Sequence, residues 1–331
     1  MRQPVAMAED VKTAYRAPAL PPIEVRPRDI SGLRHGNVGV DYVHRFSASE
    51  PGPHVVLNAL IHGNEFCGMT ALTWLLERGF RPARGTLTLV FSNVAAYERF
   101  DPERPLESRF VDRDMNRVWT EEILDGDEKS VEARRARALR PIFAAADALL
   151  DIHSTTFAVR PMLVYTALDK AKRLARAIGS PPTHIVSTGG RHQGGLLIEF
   201  GAFSAPDAHN TAIVVECGQH FARSAGDIAI DTMLRFLAQH GLLEGDFSAA
   251  HRAALSPGPT SVYEISDVFI CRGGNAAFVR PLEGFEEFAA GEVIGHDGER
   301  EIRAPYDRCA VIMPKAQLVP GREMVTLARH L

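Results

Sequence analysis

The sequence predicts an α/β protein: a three-layer domain with a mixed, largely parallel sheet, followed by a small all-β barrel or sandwich domain. Three observations carry this. Residues 54–61 are apolar on nearly every position, as a strand buried on both faces is. Strand-length runs then alternate with helical periods through about residue 240. Near Pro257 the texture changes to short β-rich runs broken by Gly, Pro and Asp turns, and no helical period follows.

Residues 1–30 carry Pro18, Pro21, Pro22 and Pro27 among several charges and read as an irregular arm, one that packs late or mediates subunit contact. A homo-oligomer is therefore left open. Residues 31–256 form the larger domain. Val38, Val40 and Tyr42 alternate as a strand over 38–46, and Pro51-Gly52-Pro53 breaks it. After the 54–61 strand, Phe66, Met69, Leu72, Leu75 and Leu76 give a helical period over 65–80, closed by Gly79. Strands follow at 86–91, 148–152, 161–165, 185–187 and 213–216, with helices at 132–146, 170–178 and 228–240. In residues 257–331, strands are expected at 262–265, 268–271, 310–313 and 324–327.

Bulk properties exclude several classes. A net charge of −4 gives no general attraction to nucleic acid or an anionic membrane, so any pull on an anionic substrate must come from local arginines. No run of about 18 apolar residues offers a membrane span, and the first thirty residues hold no signal-type apolar stretch. Cys67, Cys217, Cys271 and Cys309 are scattered, which excludes a thiolate zinc knuckle and suggests no disulfide framework. The simplest expectation is a cytoplasmic enzyme.

Four clusters carry chemistry. His62-Gly63-Asn64-Glu65 joins a buried strand to an amphipathic helix, and a His and a carboxylate at this spacing on a turn can both reach one zinc ion. His296 and Glu299 share the spacing, so it is weak evidence alone. Asp151 and His153 lie on one face at the end of the 148–152 strand, where Asp151 suits orientation of a ligating imidazole, either His153 or His62. His62, Glu65 and His153 together make the three-ligand set of a catalytic zinc, with the fourth position left for water. Glu216 ends the 213–216 strand before Gly218; near zinc it would serve as general base, and elsewhere as a capping or paired carboxylate. The arginine-dense loop 109–117 offers Arg117 with Asn116 as a carboxylate clamp and Arg109 as a carbonyl-polarising group, although a solvated charged loop has the same composition.

Taken in order, H-G-N-E at 62–65, D-M-N-R at 114–117, D-I-H-S at 151–154 and V-E-C-G at 215–218 resemble the succinylglutamate desuccinylase/aspartoacylase family of the zinc carboxypeptidase-like superfamily. The resemblance covers about residues 35–330. It implies a zinc-carboxypeptidase-like hydrolase domain binding one Zn2+ per chain through His62, Glu65 and His153. It also implies Glu216 as the base that activates the zinc-bound water, Arg109 as the group polarising the scissile carbonyl, and Asn116 with Arg117 as the substrate-carboxylate pair. The expected activity is removal of an acyl group from a small N-acyl amino acid. The alternatives are a zinc carboxypeptidase acting on a peptide-like substrate and a non-catalytic metal-binding regulatory protein.

Departures bear on substrate. Aspartoacylase-like members place an arginine ten residues before the base, where this chain has Pro206. That disfavours N-acetylaspartate and leaves Asp207 or His209 to meet a neutral or amine-bearing side chain, as in the similar N-acetyl-diaminobutyrate deacetylases. The tail around residues 303–311 resembles a biotinyl/lipoyl-type barrel but lacks the carrier lysine motif, so no swinging-arm role is expected. His184, His192, His209 and His220 are unassigned, and Cys67 and Cys217 read as small packing residues.

Overall fold

The computed structural model describes residues 22–189, 194–243, 260–273, 275–315 and 318–331. In chain order the first part contains β1 (Val43–Ser47), β2 (His54–Ala59), α1 (Phe66–Glu77), β3 (Thr86–Phe91), α2 (Val94–Tyr97), α3 (Glu121–Asp125), α4 (Val131–Ala144), β4 (Ala148–Thr155), β5 (Met162–Thr166), α5 (Asp169–Ile178), β6 (Thr183–Ser187), β7 (Thr211–Gln219) and α6 (Arg223–Gln239). Then come β8 (Ser261–Ile270), β9 (Ala276–Phe278), β10 (Glu287–Phe288), β11 (Val293–Asp297), β12 (Arg300–Arg303), β13 (Cys309–Ile312) and β14 (Glu323–His330).

The fully apolar runs occupy the middle of the sheet. β2 pairs in parallel with β3 and β4, and β4 in parallel with β7. Period-two alternation splits their side chains between two cores. Val55, Leu57 and Ala59 face α1 and α6, while Val56, Leu149 and Val214 face the layer built from α4, Met115 and Trp119. Gly68 lets α1 lie close on the sheet, since a Cβ there would stand 2.8 Å from that of Ala59. β1 closes one edge antiparallel to β3, and β5 runs antiparallel to β7 but parallel to β6.

The sequence splits the first C-terminal strand in two, whereas β8 is one strand of ten residues. Polar Ser266 and Asp267 read as a turn in the sequence, but a register shift opposite Leu327 and Ala328 absorbs the extra residue as a bulge. The expected boundary near residue 257 lies outside the described residues. Beyond it, β8 pairs in parallel with β6, and the main sheet of eleven strands continues unbroken through β14, β13 and β10. A second sheet, β12-β11-β9, packs on this extension around Phe278, Ile294, Ile302 and Leu327. The short strands β9 to β12 were not expected from the sequence.

Of the expected arm, residues 1–21 lie outside the described residues. The rest is docked: the Glu24 and Val25 amides donate to the Phe221 carbonyl at 3.1 and 3.0 Å, and Ile30 is buried. No helix among the described residues is long and apolar enough to cross a membrane.

Candidate metal centre and active site

The strand expected to run to Ile61 stops at Ala59 because Leu60 takes φ 60°. A branched side chain in the left-handed region is a strained choice, of order 1–3 kcal/mol, and such strain collects at functional turns. Here it turns the chain so that 62–65 crosses the end of the sheet. Gly63 is required by space: a Cβ would lie 2.4 Å from Ala96 C, Tyr97 N and Ser108 O. Its N–H also donates to the Arg109 carbonyl at 3.0 Å, which ties the turn to the arginine loop.

His62, Glu65 and His153 converge with one donor atom each within 4.8 Å of one another, and all three are buried. His62 Nδ1 lies 2.8 Å from Glu65 Oε1, and His153 Nδ1 lies 3.0 Å from Glu65 Oε2. Each ring is fixed from behind. His62 Nε2 is 3.0 Å from Asp114 Oδ1, and His153 Nε2 is 2.8 Å from Asp151 Oδ2. Asp151 is in turn held by Asn58 Nδ2 at 2.7 Å, and Asn58 Oδ1 accepts from the Ser92 hydroxyl at 2.5 Å. With Nε2–H given to Asp151, His153 presents its Nδ1 lone pair to the common point, the arrangement found behind metal-ligating histidines, whereas His62 Nε2 is shared between Asp114 and the Arg109 guanidinium.

The charge balance favours a cation. Burial alone would raise the Glu65 carboxyl, but the His62 and His153 rings and their hydrogen bonds hold it well below the ordinary range. Burial would likewise lower His153, yet Asp151 and Glu65 lift it well above its usual value. The field that keeps a proton on His153 is the field that attracts a metal ion. Two imidazole nitrogens and a carboxylate suit zinc.

β7 lies beside β4 with His153 opposite Glu216, so the candidate base stands next to a candidate ligand. Burial pushes the Glu216 carboxyl up to about 8; His153, Arg109 and Lys315 oppose that rise and Glu65 adds to it. Its Oε2 is buried with no hydrogen-bond partner among the described residues. Arg109 reaches across the triad, with Nη1 3.0 Å from Glu65 Oε1 and Nη2 2.9 Å from His62 Nε2. Burial would lower its pKa, but Asp114, Glu65 and Glu216 raise it, so it stays charged. The Asn116 carboxamide oxygen is already engaged, accepting from the Leu197 amide at 2.9 Å. Arg117 faces the same cavity.

That cavity, of about 630 Å3, brings together His62, Glu65, Arg109, Asn116, Arg117, His153 and Glu216. β8 and β14 line its far side, and Lys315 and Arg322 enter from the segment between β13 and β14. Of the unassigned histidines, His220 lines it, with Nδ1 2.8 Å from Ser154 Oγ, and burial pushes its pKa down to about 3. His184 is buried elsewhere, and His192 lies outside the described residues. The expectation for Asp207 and His209 is corrected: neither lines the cavity, and His209 pairs with Asp147 at 2.7 Å near the start of β7, the strand end opposite Glu216. His296 and Glu299 fall in the β11–β12 hairpin, with Glu299 exposed. Cys67 donates to the His153 carbonyl at 3.2 Å, while burial and a hydrogen bond with Cys67 push the Cys217 thiol well up; both are buried, free thiols that act as packing groups.

Two contributors were missed from the sequence. Asp114 orients His62, and a second acid in the loop 109–117 was the available signal. Glu132 accepts from the amides of Val111, Asp112 and Arg113 at 2.6, 3.1 and 3.1 Å and from Asn93 Nδ2 at 3.0 Å, so it shapes the arginine loop from the start of α4.

Known proteins agree with this architecture. The succinylglutamate desuccinylase of Vibrio cholerae is 23% identical over 286 residues, covering 81% of this chain and 78% of its own, and that of Pseudoalteromonas atlantica is 24% identical over 301 residues, covering 82% and 79%. The crystal structure of the Vibrio cholerae desuccinylase superposes with a TM-score of 0.67 at 20% identity, covering 88% of this chain and 86% of that one. The product-bound ectoine utilization protein of Ruegeria pomeroyi gives 0.61 at 17% identity, covering 89% and 92%. At such identities these likenesses establish a mixed α/β, sheet-dominated fold. The family model for the succinylglutamate desuccinylase/aspartoacylase catalytic domain matches residues 51–240, a span holding every residue of the triad, the arginine loop and Glu216, and by that match over more than half its length the chain belongs to this family of deacylases.

Proposed function

We propose that this chain is a zinc-dependent amidohydrolase that removes the acyl group from a small, carboxylate-bearing N-acyl amino acid. The observation that carries the reading is the placement of Glu216, raised to about 8 and without a partner at Oε2, beside His153 of a His₂Glu donor set. A protein that only held metal would gain nothing from a buried, unpaired carboxyl there. β8 and β14 wall the cavity, which favours a small substrate over a peptide chain.

His62, Glu65 and His153 would hold the ion, which when bound supplies a lowered water pKa and a Lewis acid for the carbonyl. Glu216 takes the proton of the attacking water on its carboxylate and delivers it to the leaving nitrogen. Arg109 donates to the carbonyl oxygen as negative charge develops there. Arg117 binds the substrate carboxylate, and Asn116 holds the loop against Leu197 while offering its Nδ2 to the same group.

The test is metal content together with an amine-release screen of N-acyl amino acids, with and without chelator. Stoichiometric zinc and chelator-sensitive release are expected. Zinc without release from any substrate would move the reading to a peptide substrate or a non-catalytic role.

A further inference from the structure

The cavity has two chemically distinct halves. Around the triad it is charged. Away from the triad the sheet face continues from Glu216 to Val214 on β7 and to Val164, its register partner on β5. Ile265 of β8 lines the same cavity from the far side, while Leu196 and Ile198 bound it at the 3-10 turn Leu197–Glu199. Val214 and Val164 belong to one apolar cluster with Leu196 and Ile198.

This apolar wall is joined to the arginine loop. The Leu197 amide donates to Asn116 Oδ1 at 2.9 Å, and Val118 bridges to Gly195. Gly194 sits so close that a Cβ there would lie 2.4 Å from the Arg117 carbonyl oxygen. The Arg117 guanidinium donates to the Asn116 carbonyl at 2.8 Å and has no carboxylate within ion-pair distance among the described residues. A guanidinium that lies near Asp114 and Glu199 without pairing to either, and an apolar wall borne by the same unit, recognise one part of a ligand: a carboxylate with an apolar group beside it. A charged side chain laid against that wall would lose its hydration to Leu196, Ile198, Val164 and Val214, while the further cations of the cavity, Lys315 and Arg322, enter from the segment between β13 and β14. The segment before β7 brings no cation here, since Pro206 does not line the cavity and His209 is engaged by Asp147.

We propose that the amine half of the substrate is an amino acid with an uncharged, apolar side chain, of the leucine or phenylalanine class. Its carboxylate lies on Arg117 and its side chain on Leu196, Ile198, Val164 and Val214. This rests on the deacylase reading above and deepens it.

The experiment uses the full chain loaded with zinc, and N-acetyl-leucine, N-acetyl-phenylalanine, N-acetylglutamate and N-acetylaspartate as probes. Calorimetric binding and amine release are measured for each. The apolar pair is expected to bind, and to be hydrolysed by kcat/KM, about ten-fold or more better than the acidic pair, the scale on which apolar pockets discriminate. Val164→Arg, checked for native folding by circular dichroism, should weaken N-acetyl-leucine and improve N-acetylglutamate. Equal or reversed preference in the wild-type chain overturns the apolar assignment and leaves the deacylase reading standing. If no probe releases amine, the binding order alone decides the wall, and the deacylase reading is judged by the wider screen of acyl groups with and without chelator. Should the variant misfold, the wild-type order remains decisive.

Discussion

Glu132 Oε1 lies 2.6 Å from the backbone nitrogen of Val111, and its other oxygen takes the next two amides of the loop. A fully buried carboxylate thereby fixes the backbone between Arg109 and Arg117, the two arginines assigned to carbonyl and carboxylate. Glu132→Ala should strip those amides of their acceptor. The expected cost is about 1–3 kcal/mol of stability, the usual range for stranded buried donors. Urea unfolding checks this, and KM should rise because the clamp loses its register. An unchanged KM with lowered stability would assign Glu132 to the fold alone.

Glu216→Gln should keep zinc and lose about 10²–10⁴ in kcat. Metal analysis beside steady-state kinetics reads both; full activity in the variant sinks the assigned role. There is also a pH signature in the chelated protein. Burial raises the Glu216 carboxyl to about 8, so between its ordinary value and 8 the folded chain holds a proton that the unfolded chain has released. Folded stability contributed by this group is therefore present at low pH and declines as pH rises toward 8. Melting curves of chelated wild type should show that decline, and Glu216→Gln should flatten it.

Asp114→Asn and Asp151→Asn each disturb the carboxylate behind one imidazole. Loss of such a partner commonly lowers metal affinity about 10–100-fold. Competition against a chelator of known affinity measures it. If Asp114→Asn binds zinc like wild type while Asp151→Asn does not, His62 is not a ligand held in this orientation.

His184 supplies an acid-side signature remote from the site. Burial first, and then the nearby Arg176, press its pKa down to about 4. The unfolded chain takes up this proton below about 6.5 while the folded chain resists until about 4, so stability falls as pH drops through that window. His184→Gln should make the melting temperature less sensitive to pH between 6.5 and 4. An identical pH slope would show that other groups govern acid unfolding.

The parts legible in the sequence were those written locally. Thr86–Phe91, apolar at every buried position but Thr88, stands as read, and the motifs at His62, His153 and Glu216 fall at the ends of adjacent strands, where the sequence placed them. What escaped depends on distant partners. His62 and Asp114 are 52 residues apart, and nothing in either neighbourhood announces their contact. Leu60 takes a conformation that its residue type disfavours, so its turn could not be foreseen. Ser266 and Asp267 look like a break, and only the bulge against β14 makes them strand. Asp207 and His209 were near Glu216 in number, yet a nine-residue strand carries them to the opposite end of the sheet.

The unbroken run of strands from β6 into β8 bears on how this protein can be handled. A fragment ending near residue 243 would retain the triad, Arg109, Arg117 and Glu216 and would look like a complete enzyme on paper. It would also strip β6 of its neighbour, leaving a row of unsatisfied amides and carbonyls on an apolar strand, which is a template for edge-to-edge association. Cutting the chain near residue 243, which removes the last 88 of its 331 residues, is therefore expected to yield aggregate rather than a minimal catalyst.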